Sequence, residues 1–309
     1  MELHNFEELR ALLHNVKKTP VMAVAAAEDE TAIDAILAAE QLGYARPILI
    51  GDVAEIKRIL EKKDIDAKDY EMINASDKRN SGEIAVRLIK EEKADFIMKG
   101  LMETREVLGP VVDKEKGIGI GRIISHLAFN QINHYHKLLI NTDAGMNIYP
   151  DLKQKTGIMR NAIDTLRAVG YECPKMAALC AVENVNPKMP ETLDAAELKR
   201  MALAGEFGKC VVEGPISYDI ALNREYAEHK HFDCPCSGDF DGVMVPNIAC
   251  GNILGKSWTM GSGGSMAGIV VGTKAPIVLT SRASTMDEKI NSIVFAAVMI
   301  SGKGKELFV

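Results

Sequence analysis

Short, uninterrupted apolar segments alternate along the chain with longer segments whose apolar residues recur every three or four positions. Residues 20–27 form a continuous apolar run, and residues 28–42 carry apolar side chains at helical spacing before Gly43. A continuous apolar run is typical of a strand buried on both faces, whereas a period of three to four residues is typical of an amphipathic helix, which glycine often ends. The first segment therefore predicts a strand followed by a helix.

The same alternation continues through the rest of the chain. Further strands are predicted at residues 47–50, 94–98, 137–141, 176–182, 211–212, 243–245, 269–271 and 277–280, and further helices at residues 53–63, 151–169, 192–203 and about 285–300. Strands that alternate with helices usually pair in parallel, so the pattern predicts an α/β fold with a mostly parallel sheet covered on both faces. No proline- or serine-rich linker interrupts the 309 residues, and two lobes that share several chain crossings are expected.

Composition and charge narrow the classes of function. The formal net charge is −6, and an acidic chain lacks the broad basic face that nucleic-acid phosphates require. No apolar run approaches the ~20 residues of a membrane span, and the N-terminal segment lacks the pattern of a signal peptide. The six cysteines lie mostly within apolar segments. These features predict a cytoplasmic protein with reduced thiols that does not act on nucleic acid or membranes.

Two short clusters contain residue types that bind metals. Cys234 and Cys236 follow two histidines, and Asp239 and Asp241 stand two positions apart. Zinc sites normally have two-residue spacers and a second pair of ligands, and calcium loops need further oxygen ligands at fixed positions. Neither requirement is met. The cysteines are interpreted as incidental thiols in a loop and the aspartates as structural loop residues or contacts to a polar ligand, and no metal is expected.

Ligands of open parallel sheets bind beyond the carboxyl ends of the strands. The residues that directly follow the predicted strands are nearly all polar or turn-forming: Lys99-Gly100, Asn141-Thr142-Asp143, Glu183-Asn184, Glu213-Gly214-Pro215, Pro246-Asn247 and Ser281-Arg282. Any loop would be polar at these points, so position alone does not distinguish a binding site from an ordinary turn.

Ser281 and Arg282 are the strongest candidates in this set. Arginine presents a planar, permanently charged fork that suits phosphate, and a serine hydroxyl can donate to a carbonyl oxygen or an oxyanion. Asp287 and Glu288 follow in the first turn of the last predicted helix, where a carboxylate could take a proton from a thiol or hydroxyl. Thr285 and Glu288 also fit a capping box, in which Glu288 serves only the helix terminus, and both interpretations stay open.

A second candidate follows the predicted strand at residues 94–98. Gly100 would let the backbone approach a ligand, the start of the next helix would attract an anion, and Lys99 and Arg105 add positive charge. The alternative is a solvated turn with ordinary surface basic residues. That alternative suits Lys99 better than Arg105, which could lie on the inner side of its helix.

Together these segments resemble the phosphate acetyl/butyryltransferase family, and most closely its butyryl-transferring branch. The similarity extends over nearly the whole chain, and the motifs are specific only in combination. They are residues 99–104 (KGLMET), 141–145 (NTDAG) with Asn147 and Pro150, 181–187 (AVENVNP), 212–215 (VEGP), 249–256 (ACGNILGK) and 280–282 (TSR).

The resemblance implies a reversible reaction in which acyl-CoA and phosphate give acyl phosphate and free CoA, within short-chain fatty acid metabolism. It implies no metal and no nicotinamide cofactor, with CoA as a substrate, and a homodimer or larger homo-oligomer. The implied fold is that of the isocitrate and isopropylmalate dehydrogenases, two α/β/α lobes with a cleft between them. The first lobe would comprise residues 1–120 together with 270–309, and the second residues 121–269.

The resemblance also implies roles for individual residues. Ser281 would hydrogen-bond the acyl carbonyl, and Arg282 would hold phosphate and stabilise developing negative charge. The acetyl-transferring branch has an aspartate as the base seven residues after the serine; here that position is Glu288, with Asp287 beside it, so the base is one of the two or neither. The other matched positions imply contacts to substrate or CoA: Lys99, Gly100, Thr104, Arg105, Asn141, Asp143, Glu183, Asn184, Glu213, Pro215 and Asn252.

Three alternatives stay open at this level. Acetyl-CoA rather than butyryl-CoA could be the main substrate, because the pocket that sets acyl length is not evident. A metal-dependent hydroxy-acid dehydrogenase could use the same fold, although the sequence has neither a cluster of metal-binding aspartates nor a nicotinamide site. A non-catalytic binding module could also keep the fold, although the Ser281-Arg282 pair argues against it.

Overall fold

The computed structural model describes residues 1–14, 16–281 and 283–301 as alternating strands and helices. The strands are β1 (Val21–Ala25), β2 (Arg46–Gly51), β3 (Glu71–Asn74), β4 (Phe96–Lys99), β5 (Ser125–Gln131), β6 (Leu139–Thr142), β7 (Lys175–Leu179), β8 (Val211–Ile216), β9 (Gly242–Met244), β10 (Ser265–Val271) and β11 (Ile277–Val278). The helices are α1 (Phe6–Ala11), α2 (Glu30–Gln41), α3 (Val53–Glu61), α4 (Lys78–Lys90), α5 (Thr104–Val112), α6 (Leu152–Ala168), α7 (Pro190–Leu203), α8 (Tyr218–Leu222), α9 (Arg224–His229), α10 (Ile248–Lys256) and α11 (Met286–Ser301). The predicted α/β class is confirmed.

Contacts divide the chain into two compact units. The serine unit, named for Ser281, contains Glu7–Arg122 and the described residues from Ala267 onward. The insert unit contains Met1–Phe6 and Ile123–Met266. Within the described residues, no helix combines the length and the apolar character that crossing a membrane would require.

The first six residues differ from their predicted assignment, which put them in the same lobe as the segment that follows. They belong to the insert unit, because the backbone N–H and carbonyl group of Leu3 both form hydrogen bonds with residues of that unit. Its N–H donates to Tyr171 Oη at 2.9 Å, and its carbonyl oxygen accepts from Leu138 N–H at 2.7 Å.

The serine unit is built on parallel strands in the order β3-β2-β1-β4-β11, and β10 pairs antiparallel with β11. Every residue of β1 and β4 is buried, as expected for strands covered on both faces. Among the covering helices, α2 packs against α11 and α4 packs against α5.

Aspartate N-caps fix the starts of three helices in the serine unit. The carboxylate of Asp29 accepts from Thr31 N–H before α2, that of Asp52 accepts from two N–H groups before α3, and that of Asp77 accepts from Asn80 N–H before α4. An aspartate in this position satisfies backbone donors that the helix leaves unpaired and complements the positive helix terminus. The caps therefore place helix starts just beyond the carboxyl ends of the strands.

The insert unit has the parallel strand order β6-β9-β7-β8, and β5 pairs antiparallel with β6. Phe240 and Trp258 lie in its core, packed with aliphatic residues of these four parallel strands. Both units therefore present the carboxyl ends of parallel strands, which the candidate residues directly follow.

Candidate active site

Three neighbouring strands of the serine unit end together at one edge of its sheet. Val278 of β11 is opposite Met98 of β4, and Lys99 of β4 is opposite Ala25 of β1. The residues that follow these strands, including Gly100 and Ser281, therefore emerge at the same edge. The sheet brings together two segments that are far apart in the sequence and that were identified separately as candidates.

Ser281 is exposed and opens a tight turn beyond β11. Its carbonyl oxygen accepts from Ser284 N–H at 3.1 Å, and its Oγ accepts from Ala283 N–H at 3.3 Å. Because the hydroxyl accepts in this contact, its own O–H can still donate to a ligand. Arg282, the predicted phosphate-binding residue, lies outside the described residues.

Glu288 forms the capping box that the sequence allowed. Its carboxylate accepts from Thr285 N–H at 2.9 Å, and its own N–H donates to Thr285 Oγ1 at 3.2 Å. The Glu288 carboxylate thus caps the start of α11. It would have to break its hydrogen bond with Thr285 N–H before it could take a proton from a substrate. Asp287, one residue earlier, is exposed.

Lys99 is 7% exposed, with its Nζ donating to Met102 O at 3.0 Å and Gly100 O at 3.4 Å. It is therefore not a solvated surface residue. The next helix shows the opposite situation, because the Arg105 side chain is 84% exposed and pairs with Glu103 at 2.7 Å. The expectation that Arg105 is better placed than Lys99 for an inward role is wrong.

Gly100 is required by a close backbone crossing at the same edge. A Cβ built on it would lie 2.1 Å from the carbonyl oxygen of Ala26, which directly follows β1. The Gly100 N–H donates to Ala25 O at 2.8 Å, and the N–H of Leu101 donates to Ala26 O at the same distance. The glycine allows the chain to turn from β4 towards Thr104, the first residue of α5.

Glu28 is a residue of this edge that the strand-end reasoning did not include. It follows β1 closely, and its Oε2 is buried without a hydrogen-bond partner in the described part of the chain. A Cβ on Gly51, at the end of β2, would lie only 1.9 Å from that oxygen. The rule about carboxyl ends points to Glu28 as well, but the helical spacing of residues 28–42 places it in the predicted helix.

The candidates of the insert unit are mostly engaged in local structure. Asn141 is buried, and its Nδ2 donates to Gly251 O at 2.9 Å. Asp143 is also buried; one carboxylate oxygen accepts from the N–H groups of Gly145 and Met146, both at 2.9 Å, and the other accepts from Asn147. Asp143 therefore organises the turn after β6.

A buried histidine of β5, His126, packs against the NTDAG turn. Burial lowers the pKa of His126, although the negative charge of Asp143 opposes that effect. Its Nδ1 is buried without a partner among the described residues, and a Cβ on Gly145 would approach the ring at 3.2 Å. Gly145 is therefore constrained by packing against this ring.

Glu183 and Glu213 have partners of their own. Glu183 accepts from the Ser217 hydroxyl and from Lys230, and the Ser217 bond lowers the pKa of Glu183 although burial opposes it. Glu213 is paired with Lys199 at 2.6 Å. Pro215, two residues later, is buried and follows a cis peptide bond. These contacts within the protein account for the two glutamates, and no bound ligand is needed to explain them.

Two further predicted contacts, Asn184 and Asn252, are exposed, the second of them on α10. In the described residues, no group of three or more histidine, cysteine, aspartate or glutamate side chains is arranged to hold a metal ion. Cys234 is buried and Cys236 is half-buried, and both are free thiols.

Asp239 and Asp241 belong to a charge cluster around a buried lysine. The side chain of Lys137 is fully buried, and its Nζ lies 2.6 Å from Asp241 and 2.8 Å from Asp239. Lys175 and Glu2 complete the cluster, because Lys175 pairs with both Asp239 and Glu2. The interpretation of the two aspartates as structural residues agrees with these contacts.

Comparison with known proteins gives a consistent result. A family model described as phosphate acetyl/butaryl transferase matches residues 78–297. The phosphate butyryltransferase of Clostridium acetobutylicum is 42% identical over 287 residues, which cover 93% of this chain and 95% of that protein. The phosphate acetyltransferase of Rickettsia prowazekii is 38% identical over 271 residues, which cover 87% of this chain and 77% of that protein.

Solved structures extend the comparison to the fold. A branched-chain phosphotransacylase from Enterococcus faecalis V583 is similar with a TM-score of 0.81 and 29% identity, over 92% of this chain and all of that one. A 4-hydroxythreonine-4-phosphate dehydrogenase from Burkholderia phymatum has a TM-score of 0.51 and 16% identity, over 94% of this chain and 99% of that one. At that identity the dehydrogenase shares the fold alone.

Proposed function

We propose that this chain, which belongs to the phosphate acetyl/butyryl transferase family and is therefore an acyltransferase, transfers an acyl group reversibly between coenzyme A and phosphate, with butyryl as its preferred acyl group. The observation that carries the proposal is the 42% identity to a phosphate butyryltransferase over nearly the full length of both chains. Acetyl is the second candidate, because an acetyltransferase relative is 38% identical.

The proposed chemistry in the direction of acyl-CoA synthesis starts with the thiol of CoA. Its pKa should resemble that of cysteine, about 8.5, so the thiol is mostly protonated at neutral pH. A carboxylate that accepts the proton during attack contributes roughly 10²–10⁴-fold to the rate. The sulfur then bonds to the acyl carbon, an oxyanion forms, and the bond from the carbon to the phosphate oxygen breaks to release phosphate.

Ser281 and Arg282 are proposed to stabilise the charges in this sequence. The Ser281 O–H would donate to the acyl oxygen as it becomes negative, and one such donor is typically worth about 3–4 kcal/mol. Arg282 would hold the phosphate that leaves. The exposed position of Ser281 at a shared strand edge, with the buried ammonium group of Lys99 on the neighbouring strand, supports an anion site in the serine unit.

Asp287 is proposed as the base. Glu288 occupies the position expected from the acetyl-transferring branch, but its carboxylate is engaged in the capping box at the start of α11. Asp287 is exposed in the same helical turn and follows Ser281 closely in the sequence. The reaction needs no metal and no cofactor in this scheme, and CoA takes part only as a substrate.

A second part of the proposal concerns assembly and location. Gly251 is the only buried residue among the nine of α10, although the helix is largely apolar, and Ile253 on it is 67% exposed. Such an exposed apolar surface supports self-association into a homodimer or larger homo-oligomer, which light scattering after size exclusion would test.

The free thiols support a reducing compartment, the cytoplasm, as the location of the protein.

The reaction is tested by a series of thiol-release assays that differ only in the acyl-CoA. Purified protein is mixed with phosphate and acetyl-, propionyl-, butyryl- or isobutyryl-CoA, and free thiol is followed; Ser281→Ala serves as the control variant. We expect the highest kcat/KM with butyryl-CoA, with a modest margin, since one methylene changes discrimination by only ~1–3 kcal/mol. A wide margin in favour of acetyl-CoA would refute the butyryl preference.

A further inference from the structure

Lys289 stands out as a buried cation close to the candidate serine. It lies in the first turn of α11 and is only 6% exposed. Burial is unfavourable for an ammonium group, and the positive terminus of a helix is unfavourable for it as well. The buried residues that follow it on α11, from Ile290 to Ile300, are mostly apolar. A lysine at this position therefore requires an explanation other than packing.

The contacts of Lys289 connect the turn after β11 with the start of α2. Its Nζ donates to Ser284 O at 2.9 Å and to Thr31 Oγ1 at 3.4 Å, and both acceptors are neutral. Ser284 closes the turn that Ser281 opens, through its N–H bond to Ser281 O. Thr31 lies at the start of α2, beyond β1, and its hydroxyl donates to Asp29 at 3.1 Å. A continuous series of hydrogen bonds thus runs from the Asp29 cap to the Ser281 turn.

We propose that Lys289 is a positioning residue for Ser281 in the acyl transfer proposed above, on which this inference rests. It holds the Ser281 turn against the start of α2 and so fixes where the Ser281 hydroxyl points. Ser281 and Ala283 in this turn are exposed and Ser284 is half-buried, and the other described hydrogen bonds of the turn are the two at Ser281. Displacement of a catalytic group by about 1 Å can lower a rate by about 10²-fold, so a clamp of this kind affects turnover strongly.

Methionine and glutamine at position 289 separate this role from a merely structural one. Lys289→Met removes the charge and both hydrogen bonds but keeps a long apolar side chain. Lys289→Gln is neutral, but its amide can donate to two acceptors. Lys57→Met, at an exposed lysine on α3 of the same unit, is the matched control. Turnover of the parent protein with butyryl-CoA and phosphate is measured first, because absence of turnover there refutes the proposed function rather than the role of Lys289.

For Lys289→Met we expect kcat to fall about 10–100-fold, while KM for butyryl-CoA stays within about threefold. The melting temperature should stay the same or rise, because an apolar side chain replaces a buried charge. Lys289→Gln should recover kcat to within about fivefold of the parent, and Lys57→Met should match the parent. A kcat of Lys289→Met within twofold of the parent, or a loss of activity that only follows the unfolded fraction, overturns the proposal, as does a Gln variant that is as slow as the Met variant.

Thr31→Val provides an independent check of the connection to α2. The substitution keeps the shape of the side chain and removes one of the two acceptors of Lys289. Alone it should lower kcat severalfold, and in the Lys289→Met background it should have no further effect, because residues of one hydrogen-bond network are not additive. If the two substitutions instead lower kcat by independent factors that multiply, the proposed hydrogen-bond network is refuted.

Discussion

Lys137 offers the sharpest prediction about stability, because its charge is completely buried. Its Nζ lies 2.6 Å from Asp241, whose side chain is 1% exposed, and 2.8 Å from Asp239. Lys137→Met would leave the Asp241 carboxylate buried without its main partner, a change that typically costs about 3–5 kcal/mol. Asp241 keeps a bond from Lys175 N–H at 2.8 Å, so we expect the lower end of this range, about 3 kcal/mol.

The same substitution should make stability depend on pH. Burial raises the pKa of Asp241 even with Lys137 present, and loss of the lysine should raise it further. A carboxyl group with a raised pKa binds protons more readily in the folded state, so the folded protein gains stability as pH falls through that pKa. The loss caused by Lys137→Met should therefore be larger at pH 8 than at pH 5.

Urea denaturation at the two pH values measures both effects. Lys137→Met/Asp241→Asn serves as the compensating variant, because asparagine is uncharged and still accepts from Lys175 N–H; it should recover most of the lost stability. A loss below about 1 kcal/mol for the single variant at pH 8, or the same loss at both pH values, would refute the reasoning that an unpaired buried carboxylate causes it.

Two further predictions concern the serine unit. Gly100→Ala should lower the free energy of unfolding by about 1–3 kcal/mol in urea denaturation and reduce turnover, because its Cβ would lie 2.1 Å from Ala26 O; an unchanged free energy of unfolding would contradict that crossing. Asp287→Asn should lower kcat by about 10²-fold or more, whereas Glu288→Gln, which preserves the capping box, should stay within about threefold in a pH–rate comparison. The opposite result would make Glu288 the base, and parental rates in both variants would leave the serine without a carboxylate partner.

Sequence patterns predicted those elements whose burial is uniform. The predicted strand at residues 20–27 is β1, and the helix that follows it is α2, because apolar residues there mark both structures clearly. β3, at the edge of its sheet, and β5 were not predicted. Each contains polar residues, and in β5 three of these, Ser125, His126 and Asn130, are buried by tertiary contacts that no local pattern reveals.

In the candidate site, too, sequence patterns predict features that depend on local spacing and miss those that depend on tertiary contacts. The capping box at Thr285 and Glu288 was identified as one of two interpretations, because capping depends on local spacing. The sequence predicts Arg105 rather than Lys99 on the inner side, and this order is wrong, because Lys99 ends a strand that lies between β1 and β11, both more than 70 residues away in the chain. Lys289 was missed since a lysine near a helix start is normally interpreted as a surface residue. Its position between isoleucine and acidic residues carries no sign of its contact with Thr31.

The central claim is that this chain exchanges CoA for phosphate on a short acyl group. The most direct measurement is release of free thiol from butyryl-CoA by the purified protein, with and without phosphate, beside the same assay with acetyl-CoA. We predict release that requires phosphate, is abolished or strongly reduced in Ser281→Ala, and has a higher kcat/KM for butyryl-CoA than for acetyl-CoA. Absence of phosphate-dependent thiol release from every short acyl-CoA would contradict the assignment.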